Sequence, residues 1–199
     1  MRAMSGGSQR AADPVLAFPT QEAWEKWLED NHADAPGVWL KIPKKDSGLD
    51  GVDYAGALES ALCYGWIDGQ KKKLDERHWL QRFTPRRPGS KWSKVNRQKA
   101  TELIERGRMR AAGLREVERA RADGRWEAAY ASQSRATVPD DLRAALDASP
   151  RAREFFSTLD SRNRYAILYR IQDAKKPGTR AARIEKYVAM LAENKKIHP

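Results

Sequence analysis

The segment from Tyr64 to Asn96 combines aromatic side chains with most of the chain's excess positive charge. It contains three of the seven tryptophans. Between Gln70 and Thr101, eleven Lys and Arg residues stand against two acidic residues, a net +9 out of +11 for all 199 residues. Because the charge is local and lies beside aromatic rings, it indicates a site for an anion rather than a generally basic surface.

The residue types in this segment suit recognition of a phosphate or a carboxylate. Arginine offers planar pairs of N–H donors to either group. A helix predicted to begin at Ser90 would add backbone N–H groups and a favourable dipole. A stacking wall could be supplied by the aromatic rings of Tyr64, Trp66, Trp79 and Trp92, and Asn96 lies one helical turn after Trp92. The predicted ligand-binding residues are Tyr64, Trp66, Arg82, Arg86, Arg87, Trp92 and Asn96.

An enzymatic interpretation centres on Asp68 in the WIDG turn, the best candidate for a general acid or base. Its substrate would be a small acidic or phosphorylated molecule. No Ser/His/Asp order, paired-carboxylate motif or phosphate-cradling glycine loop supports a particular reaction, so enzymatic activity stays open. Asp68 is equally suited to stabilise its turn or to pair with Arg82 or Arg86.

Two further interpretations of the same segment remain. Arginines interleaved with aromatic residues fit single-stranded nucleic acid, although neither RNP-type nor zinc-finger spacing is present. In a purely structural interpretation, Arg86 and Arg87 tie their loop to acids such as Glu59 or Asp53, and the neighbouring tryptophans belong to the core.

Composition places the chain among globular proteins, with 40% hydrophobic and 33% charged residues. The lone cysteine, Cys63, and three scattered histidines give no metal-ligand spacing, so we expect no metal, no cofactor and a cytoplasmic location. No apolar run approaches the roughly 18–20 residues of a membrane span. Residues 1–13 are small and polar and are predicted to form a disordered leader.

Three short strands are predicted to position these residues. The first covers Val38 to Ile42, and the other two form a hairpin from Trp66 to Thr84 around the polar KKKLDE segment. Alternation in the second arm places His78, Leu80, Arg82 and Thr84 on one face and Trp79, Gln81 and Phe83 on the other. Together they predict a small three-stranded antiparallel sheet.

Helices are predicted before, between and after these strands along the sequence. Thr20 and Asp53 are suited to cap helices whose apolar residues, Tyr54 among them in the second, face the sheet. From about Thr137 the chain reads as helical, ending in a helix opened by Pro177. The predicted class is therefore α+β, with an α+β core domain over residues 14–132 and a helical subdomain over 138–199.

Two long blocks of the sequence resemble the bacterial YdeI/OmpD-associated (bacteriocin-protection) family. The first is GVWLKIPKK followed by YAGALESALCYGWIDGQKKKLDERHWLQRFTPRRPGSKWSKVN, with ELIERGRMRAAGL after it, and the second is FFSTLDSRNRYAILYRIQDAKKPGTRAARIEKYVAMLAENKK. Together they cover most of residues 37 to 195. One departure is Pro43, where such sequences often have an aromatic or small residue. The resemblance implies association with porins or protection from bacteriocins and cationic peptides, and no reaction.

These observations predict a cytoplasmic binding protein with a pocket for a small anionic ligand. The resemblance implies a protective role, which would be indirect because a chain of net charge +11 repels cationic peptides. An enzyme using Asp68 is the alternative, and nucleic-acid binding is the third interpretation.

Overall fold

The structure is a computed structural model that describes residues 13–131 and 136–199. Nearly all of the predicted leader, residues 1–13, lies outside these ranges. The described elements, in chain order, are β1 (Val15–Leu16), α1 (Gln21–Asn31), β2 (Val38–Pro43), α2 (Tyr54–Cys63), β3 (Trp66–Lys73), β4 (His78–Pro85), α3 (Lys94–Glu105), α4 (Ala111–Ala122), α5 (Asp140–Asp147), α6 (Pro150–Thr158), α7 (Ser161–Gln172) and α8 (Pro177–Ala192).

The chain divides into two compact units. The first extends to Ser90 and resumes over Asn96–Glu127, so it contains the whole sheet. The second consists of Lys91–Val95 and Ala128–Pro199 and includes the helices α5 to α8.

The sheet confirms the α+β class but corrects the predicted strand number. Four strands lie in the order β1-β2-β4-β3, and β1 pairs with β2 in parallel, so the sheet is mixed. The three predicted strands are present and antiparallel to one another. The sequence analysis predicted three antiparallel strands and did not decide on a fourth, because β1 contains two residues, too few to show the alternation by which strands are recognised.

The strand register separates the sheet residues onto two faces as predicted for β4. Val38 lies opposite Phe83, and both are fully buried. The next pair, Trp39 and Arg82, lies on the other face and keeps part of its surface exposed. Between β3 and β4 the register shifts after Asp68, which is the signature of a β-bulge. A bulge increases local twist and turns the following side chains to new directions.

Helix α1 covers the buried face of the sheet with tryptophan side chains. Trp24 and Trp27 stack with their rings 5.3 Å apart, and Trp24 lies 5.8 Å from the ring of Phe83. The Trp24 indole donates a hydrogen bond of 3.1 Å to the carbonyl of Ala57 and so joins α1 to α2. The predicted cap is confirmed at the start of α1, where the Thr20 hydroxyl accepts a hydrogen bond from the backbone N–H of Ala23.

The second unit has its own hydrophobic core. Its side chains come from α5 to α8, and fully buried members include Leu142, Ile171 and Leu191. Asp160 caps α7 by accepting a hydrogen bond from the backbone N–H of Asn163 at 2.7 Å. This unit is therefore a small helical bundle, in which α7 begins with a side-chain cap whereas α5, α6 and α8 begin without one.

Candidate functional site

Two neighbouring lysines of β3 each lie over a tryptophan ring. The ammonium of Lys71 is 3.9 Å from the ring centre of Trp79, and that of Lys72 is 4.2 Å from the ring centre of Trp39. Successive residues of a strand point to opposite faces, so the two contacts lie on opposite sides of the hairpin. We call these residues together with Lys73 the hairpin basic surface. All three lysines are exposed, and both rings are half-buried.

The charge of the hairpin basic surface is not neutralised locally. Among the described residues, no carboxylate lies within 4 Å of Lys71, Lys72 or Lys73. Arg82, in contrast, contacts the carboxylate of Asp13 at 2.5 Å. The three hairpin lysines therefore carry charge that no nearby carboxylate of the described residues compensates, whereas the sequence analysis had singled out arginines.

The three arginines predicted to bind an anion lie in different surroundings. Arg82 is held by Asp13, with its side chain 31% exposed. Arg86 is 6% exposed, and its backbone N–H donates to the carbonyl of Gly65 at 3.0 Å. Arg87 is exposed on a turn, where its backbone N–H donates to the hydroxyl of Ser90 at 2.9 Å. Of the three, Arg87 offers its guanidinium most openly to solvent.

The predicted stacking rings lie mainly in the interior. Tyr64 is 5% exposed and Trp66 only 1%. The Trp66 indole donates to the carbonyl of His32 at 3.0 Å and meets Trp27 edge-on. These contacts are typical of structural aromatic residues.

Trp92 lies in the second unit and is 1% exposed. The helix predicted to begin at Ser90 begins instead at Lys94, as α3, so Trp92 precedes it. The helix N-terminus that was expected to support an anion beside the arginines is therefore displaced by one turn along the chain.

Sequence reasoning missed the half-buried ring of Trp39, and it considered Trp79 for the stacking wall without including it among the predicted ligand-binding residues. Trp79 lies on β4, which pairs with the lysine strand β3, whereas Trp39 lies on β2, one strand further away, so that Lys72 reaches across β4 to its ring. Trp opposite Lys in adjacent strands is a signal that could have suggested Trp79, but the sequence holds no such signal for Trp39.

Asp68 lies in a hydrogen-bonded cluster on the same hairpin. The hydroxyl of Tyr54 donates to one carboxylate oxygen at 2.9 Å, and the side-chain amide of Asn96 donates to the other at 3.3 Å. Burial, reinforced by the negative charge of Asp68, raises the pKa of Tyr54 far above its usual value, so the phenol stays protonated. The Tyr54 ring lies 5.8 Å from that of Trp79. Two donors thus fix the orientation of a half-buried carboxylate.

Tyr54 departs from its predicted place in the buried stripe of α2. It is 36% exposed, because it is the first residue of the helix and reaches towards β3. Asn96, predicted to orient a ligand, is 8% exposed and binds Asp68 instead. The structure therefore brings two of the predicted site residues, Asp68 and Asn96, into direct hydrogen-bond contact and adds Tyr54, which was outside the predicted set.

The acids proposed as partners of the loop arginines are engaged elsewhere. Glu59 lies 3.6 Å from Lys99 and 3.4 Å from Arg108. Asp53 caps α2 by accepting from the backbone N–H of Gly56 at 2.7 Å, as predicted. The first unit thus contains an internal ion-pair network, centred on α2 rather than on the arginine loop.

Within residues 13–131 and 136–199, no three His, Cys, Asp or Glu side chains come together as a metal site. In the same ranges, no helix is long and apolar enough to cross a membrane.

Family models match two separate parts of the chain. Residues 16–116, just over half of the chain, match a domain of unknown function (DUF8412). Residues 135–194 match the family described as "Bacteriocin-protection, YdeI or OmpD-Associated". The second match confirms the resemblance seen in the sequence, over the C-terminal block. Neither the curated proteins nor the solved structures contain a match.

Proposed function

The chain belongs to the DUF8412 family, with a C-terminal region of the bacteriocin-protection, YdeI or OmpD-associated family, and we propose that it binds an extended anionic ligand on the hairpin basic surface. The observation that carries this proposal is the pair of lysine–tryptophan contacts on an exposed strand, where no carboxylate of the described residues lies within 4 Å of the lysines. Cations on both sides of a protruding hairpin suit a polymer better than a small enclosed molecule. The proposal thus keeps the expected anionic ligand but replaces the pocket by a surface.

Single-stranded nucleic acid is the ligand whose chemistry matches both the lysines and the rings. A lysine over an exposed ring is worth about 0.5–1 kcal/mol. A base stacked on the same ring is worth about 1–3 kcal/mol, so a base can displace the ammonium. The displaced lysine, for example Lys72 leaving Trp39, then meets the phosphate backbone. Lysine side chains are flexible enough for this exchange.

The protective role remains part of the proposal. The chain has a net charge of +11, so direct capture of a cationic peptide is electrostatically unfavourable. Protection would instead act through the bound polyanion. We place this activity in the cytoplasm, as expected from the lone Cys63.

Fluorescence anisotropy with a labelled oligothymidylate of about 12 nucleotides tests the proposal, since single-strand sites span about 4–16 nucleotides. Each neutralised phosphate contributes about 0.7 to the slope of log K against log salt, so three lysines predict a slope near −2. The triple variant Lys71→Gln, Lys72→Gln, Lys73→Gln should weaken binding at least about tenfold at low salt and flatten this slope.

A second triple variant provides the matched control. Lys175→Gln, Lys176→Gln, Lys186→Gln removes the same charge from exposed positions of the second unit. It should change affinity by less than about twofold. Equal losses in both triple variants would mean that net charge alone attracts the oligonucleotide, and the hairpin would not be the site.

A second candidate function follows from the cluster around Asp68. A carboxylate oriented by Tyr54 and Asn96 is prepared to act as an acid or base on a small acidic or phosphorylated substrate held by Lys71. Incubation with a panel of phosphorylated and carboxylated metabolites, followed by proton NMR, would detect turnover. Asp68→Asn should abolish it. Turnover that survives this substitution, or a panel without turnover, would remove the enzymatic candidate.

A further inference from the structure

The second unit contains a cleft whose rim is formed by arginines from three helices. The cleft has a volume of about 460 Å³. Arg143 of α5, Arg153 of α6 and Arg164 of α7 all line it. Three features of the cleft suit a ligand: an apolar floor, an excess of positive charge and N–H donors at the rim.

The floor of this arginine cleft is apolar. Phe156 and Leu146 line it and are only 5% and 4% exposed, because they also belong to the hydrophobic core of the unit. The guanidinium of Arg164 lies over the Phe156 ring, 4.9 Å from its centre. A charged group is thus placed directly beside an apolar surface, as in sites that bind amphiphilic ligands.

The arginines of the rim are positioned but not saturated by their contacts. Arg143 donates to the carbonyl of Val138 at 3.3 Å and lies 3.9 Å from the Asp140 carboxylate, and Arg153 donates to the Asp147 carboxylate at 3.4 Å. A guanidinium has five N–H donors, so these contacts fix each side chain and leave donors for another acceptor.

The lining also has an excess of positive charge. Among the lining residues three arginines stand against one carboxylate, that of Asp147, and Asp140 pairs with Arg143 at 3.9 Å from outside the lining, so an excess of positive charge remains. An anion entering the cleft therefore meets a net attraction, and the planar guanidinium groups match a phosphate or carboxylate by paired hydrogen bonds.

We propose that the arginine cleft binds a small organic oxyanion, a phosphate or carboxylate carried on an apolar group. The oxyanion lies against Arg143 and Arg164, and the apolar group lies on the apolar floor beside the Arg164 guanidinium. This site differs in chemistry from the hairpin basic surface, which has lysines on an exposed strand and no enclosed floor. It assigns to the C-terminal region a ligand of its own.

Isothermal titration calorimetry of the full chain with phenyl phosphate tests the proposal. Saturable binding is expected, with at least about tenfold weaker affinity for inorganic phosphate, which lacks the apolar group, and for phenol, which lacks the charge. Benzoate serves as the carboxylate probe and distinguishes the two oxyanions. Equal heats for phenol and phenyl phosphate, or no saturable binding of phenyl phosphate or benzoate, would overturn the proposal.

Variants locate the site. Arg164→Gln and Arg143→Gln should each weaken phenyl phosphate at least about tenfold, the usual loss for a charge-assisted hydrogen bond. Arg151→Gln is the matched control, since Arg151 is also an exposed arginine of α6 but does not line the cleft. It should change affinity less than about twofold. Equal weakening by this control would mean that the cleft is not the site.

Two further variants separate recognition from folding and from the hairpin. Arg164→Lys keeps the charge but loses the planar donor pair, so binding should fall between that of the wild type and that of Arg164→Gln. Circular dichroism reports whether each variant folds. The hairpin triple variant should bind phenyl phosphate as the wild type does, and a loss there would assign the binding to the hairpin instead.

Discussion

Substitution of Gly113 by alanine provides a sharp test of the packing in the first unit. Gly113 lies in the first turn of α4, where alanine would ordinarily favour the helix by about 1 kcal/mol. A Cβ at this position would, however, lie 2.4 Å from the carbonyl oxygen of Cys63 and 2.7 Å from that of Leu62. Both are backbone atoms at the end of α2, so the helices must move apart. Overpacking of this kind costs about 1–3 kcal/mol.

The clash should therefore outweigh the helix preference. We expect Gly113→Ala to lower the free energy of unfolding by about 1–2 kcal/mol, measured by urea denaturation with circular dichroism. Gly178→Ala is the matched control, because Gly178 also lies in the first turn of a helix, α8, but no atom lies within 4 Å of a Cβ added there. This variant should be neutral or stabilised by up to about 1 kcal/mol.

The close packing of α4 also supports the hairpin that carries the proposed binding surface. Gly65, which immediately precedes β3, has φ +75° and would place a Cβ 2.9 Å from the carbonyl of Ala112 in α4. The start of α4 thus supports the turn from which the hairpin begins. If Gly113→Ala and Gly178→Ala were stabilised alike, α4 could not approach α2 this closely, and the placement of the hairpin would lose its support.

Three further predictions address buried and charged groups. Burial raises the pKa of Cys63 to about 11. At pH 8 the native thiol should therefore react with Ellman's reagent about 100-fold more slowly than the thiol of the unfolded chain. Equal rates would contradict its burial. Trp66→Phe leaves the His32 carbonyl without its donor and should lower unfolding stability by about 1–3 kcal/mol in urea; unchanged stability would refute a structural role. The hydrogen bond from Arg180 lowers the pKa of Asp141, which stabilises the fold above the carboxyl's usual pKa of 3.8 and less as pH falls below it. The pair is partly exposed, so Arg180→Gln should cost at most about 1 kcal/mol at pH 7 and less at pH 3, measured by thermal unfolding, and a cost that grew towards pH 3 would contradict this sign.

Local signals in the sequence predicted most of the elements. Helix starts at Thr20, Asp53 and Asp160 follow from side chains that accept backbone hydrogen bonds, an interaction within one turn. The alternation in β4 was equally local. Strand β1 was not predicted, because a two-residue parallel strand is defined by its pairing with β2, which lies more than twenty residues later. Neither periodicity nor composition shows this pairing.

The site was harder to predict because burial decides which aromatic and basic residues can meet a ligand. Trp66 and Trp79 are alike in sequence, each on a hairpin strand among charged residues. Trp66 is buried beneath α1, whereas Trp79 keeps part of its surface beside Lys71. Trp66 begins β3 and packs on Trp27 of α1, whereas Trp79 lies next to the hairpin turn. The bulge after Asp68 sets which lysines of β3 lie opposite Trp79, and neither this packing nor a register shift of one residue is visible in composition.

The two proposed sites should respond differently to salt, and this follows from the residues that form them. Exposed lysines such as Lys72 attract the phosphates of an oligonucleotide through water, and salt at about 0.15 M screens this attraction. Oligonucleotide binding should therefore weaken steeply as the salt concentration rises. In the arginine cleft, part of the affinity comes from the apolar surface of Phe156, which salt does not screen. Binding of phenyl phosphate should therefore persist at salt concentrations that release the oligonucleotide. A parallel loss of both ligands would show that one electrostatic field, rather than two sites, governs what this chain binds.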